Sequence, residues 1–112
     1  MSAATYNFNL DQGANFVLDM IMKEDGAVKD LTGYSARAQM RKTKDATEVS
    51  GTFTCSIPTP TLGTIKMEMD NATTGALAAG SYFYDLEIFT SSDVFVLRLI
   101  QGQVTVTREV TR

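Results

Sequence analysis

Histidine and tryptophan are both missing from this 112-residue chain, which also has a single cysteine and two prolines. Without imidazole the usual zinc and iron sites cannot form, because they need clustered imidazole or thiolate donors. The same absence removes the base that a cysteine nucleophile would need. Cys55 has no internal disulfide partner and sits in the alternating run Phe53-Thr-Cys-Ser-Ile57, so it reads as a small buried apolar residue. The net charge of -3 offers no basic face to displace counterions from phosphates, so nucleic acid is not an expected partner. No apolar run approaches the roughly 18 residues that a membrane helix requires, and no membrane is expected as a partner. Met1-Ser-Ala-Ala-Thr5 has neither a basic nor an apolar segment, so no leader is expected and assembly in the cytoplasm is. The scattered glycines make no phosphate cradle, and the acidic residues match no calcium loop. No cofactor, metal ligand set or catalytic residue is expected.

What the chain does have is alternation. The hydrophobic fraction of 44% and charged fraction of 21% suit one ordinary globular domain over residues 1–112, with 1–5 as an N-terminal arm. Tyr6, Phe8 and Leu10 share one face of a short strand, and Phe16, Leu18, Met20 and Met22 one face of the next. Glu24-Asp-Gly26 is a hairpin turn, since Asp-Gly tolerates the positive φ of two-residue loops. A third strand runs from Tyr34 to Lys42, with Ala36, Ala38 and Met40 inward. Residues 42–48 form a loop. Strands over 53–57 and 64–69 flank a loop that Pro58 and Pro60 keep out of any central strand. Residues 71–80 suit one helical turn. Residues 80–89 and 94–107 are two long strands joined by a short polar turn. This spacing predicts an all-β fold, an immunoglobulin-like two-sheet β-sandwich of seven to eight strands with little helix; a small closed barrel is the competing architecture.

The candidate contact residues lie on the outward faces of these strands. Asp85 and Glu87 are two apart, so both point to the same side. If the strand carrying Arg37 and Arg41 is their neighbour, they form exposed cross-strand ion pairs; the other readings are a contact surface or paired acid–base chemistry. Phe83 and Phe89 flank the carboxylates, while Tyr82, Tyr84, Leu86 and Ile88 face inward. The last strand is expected to add Val96 and Ile100 beside Arg98. Such an apolar outward face implies burial against another chain, unless a terminal segment folds back to cover it.

The segments Thr5-Tyr-Asn-Phe8, Asp30-Leu-Thr-Gly-Tyr-Ser-Ala-Arg-Ala-Gln-Met-Arg41, Leu77-Ala-Ala-Gly-Ser-Tyr-Phe-Tyr-Asp-Leu-Glu-Ile88, Arg98-Leu-Ile-Gln-Gly-Gln-Val-Thr-Val106 and Glu109-Val-Thr-Arg112 together resemble small virion proteins of tailed bacteriophages. Their pattern is also similar to the immunoglobulin-like N-terminal domain of phage baseplate upper proteins. The resemblance implies a non-enzymatic structural protein that assembles with other virion proteins and copies of itself, in the tail, the baseplate or the capsid exterior. It brings no catalytic residues with it. A second class remains open, a carbohydrate- or host-surface-binding module, for which Tyr34, Phe83, Phe89 and Phe95 supply rings near amides and carboxylates.

Overall fold

The computed structural model describes residues 3–110 and is all-β. Its strands are β1 (Ala4–Thr5), β2 (Phe8–Asp11), β3 (Phe16–Ile21), β4 (Lys23–Glu24), β5 (Ala27–Val28), β6 (Ser35–Arg41), β7 (Gly51–Ser56), β8 (Thr64–Met69), β9 (Gly80–Phe89) and β10 (Val96–Thr107). One short helix, α1 (Asn71–Gly75), links β8 to β9. The Asp70 carboxylate starts it by accepting from the Thr73 amide at 2.8 Å, which satisfies one of the donors a first turn leaves free. β4 and β5 form a separate hairpin whose turn places Asp25 and Gly26 at φ 53° and 80°, as the Asp-Gly pair predicts.

The other eight strands form one curled sheet, ordered β1-β10-β9-β6-β7-β8-β3, with β2 also on β10. The expected sandwich differs from this in one respect: the ladder is continuous. β7 makes it so. Its first half, Gly51 to Phe53, pairs with β6, and its second half, Thr54 to Ser56, pairs with β8. A strand that changes partners along its length turns a corner, and the sheet wraps its inner face around the core.

That inner face carries the apolar positions the alternation marks. Tyr82, Tyr84, Leu86 and Ile88 of β9, Ala38 and Met40 of β6, and Ile65, Met67 and Met69 of β8 are all buried. Phe8 joins the two ends of the ladder. Its ring stacks on Phe16 of β3 at 4.8 Å, meets Tyr84 edge-on at 4.9 Å and reaches Phe53 at 6.1 Å.

Two features depart from simple alternation. The first is a bulge in β10: Arg98 lies opposite Glu87, but Ile100, two residues on, lies opposite Leu86. The extra residue, Leu99, resets the parity of the strand. Ile100 therefore packs against the core instead of facing outward with Val96, which corrects the expectation from the sequence. The second is the N-terminal segment. Ala4 and Thr5 of the expected arm pair in parallel with Ile100 and Gln101, and β2 continues along Val104 to Thr107; Met1 and Ser2 lie outside the described residues. Between β1 and β2 the chain passes so close to Gly102 that an added Cβ would stand 2.3 Å from the Tyr6 carbonyl oxygen. The Tyr84 hydroxyl donates to the same carbonyl at 2.6 Å.

Leu86→Asp should unfold the domain or cost at least about 4 kcal/mol, because it places an uncompensated carboxylate in the core. Glu87→Ala, on the other face, should cost about 1 kcal/mol or less. Chemical denaturation of the two variants measures the difference, and equal losses would contradict the facing of β9. Gly102→Ala should leave the rest of the core folded but push the N-terminal strand aside. Amide exchange should then accelerate selectively over residues 4–11, and unchanged protection there would count against the close approach.

Candidate functional site

Three adjacent strands, β6, β9 and β10, present the outward face that bears the candidate residues. Pairing sets them in rows. Ser35, Phe89 and Val96 form one row; Arg37, Glu87 and Arg98 the next; then Gln39, Asp85 and Gln101; then Arg41, Phe83 and Gln103. Cross-strand neighbours on one face stand close enough to interact, so the rows decide the pairs. Nε of Arg37 donates to Glu87 at 2.6 Å, and Nη1 reaches Asp93 in the hairpin turn at 3.4 Å. The Arg37 guanidinium also lies 4.3 Å from the centre of the Phe89 ring. This is the cross-strand ion pair the sequence predicts, tightened by a cation–π contact.

Asp85 is not paired with Arg41. Its partner is Arg98, which leans diagonally across the row to place Nε at 3.2 Å. Arg41 instead donates to the carbonyls of Ala46 and Thr47 at 3.0 and 2.9 Å, holding the 42–48 loop against the sheet. Partial burial pushes the Asp85 carboxyl above the ordinary aspartate range, and the Arg98 charge pulls it back.

The eight candidates thus divide. Arg37, Glu87, Phe89 and Val96 gather near the hairpin tip; Phe83, Asp85 and Arg41 line a hollow that begins one row farther along β9; Ile100 belongs to the core. The tip is the most apolar exposed part of the face. Val94, Phe95 and Val96 are 85%, 46% and 42% exposed in succession, and the Phe95 ring meets Tyr34 edge-on at 6.1 Å. The hollow has a volume of about 500 Å³. Lys44, from the loop that Arg41 anchors, stands 5.6 Å over the Phe83 ring. Lys44 and Asp93 escape the sequence reading, since each sits in a loop or turn where strand parity says nothing; Val94, expected at the start of the last strand, lies instead in the turn, and that strand begins at Val96. Among the described residues the outward rings of Phe89 and Phe83 are partly covered by the cationic side chains of Arg37 and Lys44.

The two carboxylates carry separate ion pairs, so they form no dyad sharing a proton. Among the described residues no three Cys, Asp or Glu side chains gather to hold a metal ion, and no helix is long and apolar enough to cross a membrane. Cys55 is half-buried against the core, and its Sγ faces the Phe53 carbonyl at 3.9 Å. Burial pushes its thiol up to about 11. No protein-family profile matches the chain, and no curated protein matches it.

A thiol moved from 9.0 to about 11 carries about a hundredfold less thiolate at neutral pH, and the thiolate is the reactive form. Alkylation of Cys55 by iodoacetamide at pH 7.5 should therefore run at least about a hundredfold slower than that of an exposed cysteine. The folded thiol holds its proton more tightly than the unfolded one, so this contribution to stability is present below pH 9 and is lost as pH rises through about 11. Rapid labelling of the folded protein at pH 7.5 would overturn the assignment of Cys55 as a packed, unreactive group.

Proposed function

We propose that this chain is a non-enzymatic structural protein of a bacteriophage particle, working by assembly with other virion proteins and copies of itself in the tail, the baseplate or the capsid exterior. The observation that carries the reading is the hairpin tip. Val94, Phe95 and Val96 are exposed in succession, beside the ion-paired group of Arg37, Glu87 and Asp93. An apolar centre with charged residues at its margin is the usual anatomy of a protein contact. Covering it with a neighbour gains roughly 25 cal/mol for each square ångström of apolar surface removed from water. The virion context comes from the resemblance of the strand and turn segments to small phage proteins. A saccharide-binding module would use a different surface, the hollow farther along the same hairpin.

The test is incorporation. Val94→Asp combined with Val96→Asp changes two exposed side chains, so the isolated protein should keep its circular dichroism and melting behaviour. The variant should nonetheless be excluded from particles when supplied in place of the wild type. Normal occupancy of the double variant would move the contact elsewhere on the surface. Absence of the wild-type protein from purified virions would refute the structural reading itself.

A further inference from the structure

The hollow on β9 has a composition that the tip lacks. Its floor is Phe83 and Asp85, two apart on one strand and therefore on one face. Its rim carries three cations, Arg41, Lys44 and Arg98, against the one carboxylate of Asp85. Asp85 is already neutralised by Arg98 at 3.2 Å, which leaves two uncompensated positive charges in a chain whose net charge is -3. The remaining lining is rich in amides, with Gln39 and Gln101 on either side of Asp85 and Gln103 beside Phe83.

We propose that this hollow binds an acidic saccharide, a sugar bearing a carboxylate of the uronic- or sialic-acid kind. The argument is complementarity. Lys44 lies over the Phe83 ring from an exposed loop position; swinging that long side chain aside bares the ring for the apolar face of a pyranose, and the surrounding amides can donate to and accept from its hydroxyls. Arg98 uses its Nε on Asp85 and Nη1 on Gln101, and among the described residues its other N–H donors are left for a carboxylate. Lys44, exposed over Phe83, is placed to meet the same charge. A volume of about 500 Å³ accommodates a short oligosaccharide, within the range of roughly 300–1,000 Å³ usual for ligand sites. A polyglutamate peptide would meet the same cations and amides, but it offers no flat apolar face to the Phe83 ring. The inference holds whether or not the chain is a virion component.

The experiment is a calorimetric and NMR titration of the full chain with trigalacturonate, sialyllactose, methyl-esterified trigalacturonate and a short polyglutamate peptide. At least one of the two acidic sugars should bind and shift the amides of Phe83, Asp85 and Gln103. The methyl ester should bind at least about tenfold more weakly, as expected when a charge-assisted contact is lost. Lys44→Glu should weaken the acidic sugar by a similar factor, while Lys66→Glu on the outer face of β8 should leave its affinity unchanged. No binding by either acidic sugar, or equal binding by the methyl ester, would overturn the proposal. Polyglutamate binding as tightly as the sugars would also overturn it, in favour of a protein ligand.

Discussion

The ring of Phe8 touches rings from three other strands, Phe16 of β3, Phe53 of β7 and Tyr84 of β9. β2 and β3 lie at opposite ends of the eight-strand ladder, so this contact holds the curl of the sheet closed where the ladder hydrogen bonds do not. Aromatic pairs at these spacings add about 0.5–1.5 kcal/mol beyond the area they bury. They also fix direction, because Tyr84 brings its hydroxyl to the Tyr6 carbonyl at 2.6 Å. The N-terminal strand is thereby bound from below by a side chain of β9 and from the side by the backbone of β10. The outward face is the reverse side of β9, so its flatness and spacing depend on the same closure.

Strand facing was legible in the sequence wherever alternation ran unbroken. Ten residues of β9 alternate without a bulge, and the inward set Tyr82, Tyr84, Leu86 and Ile88 is buried as the pattern predicts. In β10 the alternation fails at Leu99 and Ile100, two apolar residues in succession. That doublet is the one local sign of the extra residue, and treating the strand as regular put Ile100 on the wrong side. The parallel pairing of residues 4–11 with β10 left no local sign, because partners 96 positions apart in sequence are joined only when the whole core forms. The change of partners within β7 is equally silent, since Phe53 and Cys55 alternate through the corner as they would in a straight strand.

The same contrast separates the readable and unreadable parts of the candidate site. The Arg37–Glu87 pair follows from placing two regular strands side by side. The Asp85–Arg98 pair joins the outward residue just before the bulge to a carboxylate one row away, and strand parity does not choose between it and Arg41. The hollow depends on the 42–48 loop, whose position is set by Arg41 donating to two of its carbonyls. A charged residue that alternation assigns to a contact surface is in fact spent on holding a loop, and that loop carries Lys44 to the rim.

Glu87 has an arginine on each side, Arg37 on β6 and Arg98 on β10. Were both guanidinium groups to converge on it, Asp85 would be left half-buried without a counter-charge, which is costly. Instead Arg37 turns toward the tip, to Glu87, Asp93 and the Phe89 ring, and Arg98 turns away from it, to Asp85. The two ion pairs therefore divide the face between the second and third rows. The tip sets two carboxylates, Glu87 and Asp93, against Arg37, and the hollow sets Asp85 against Arg98, Arg41 and Lys44, so the two ends of the face carry opposite net charge. The neighbour proposed at the tip and the acidic saccharide proposed in the hollow would therefore make separate electrostatic demands on the same hairpin.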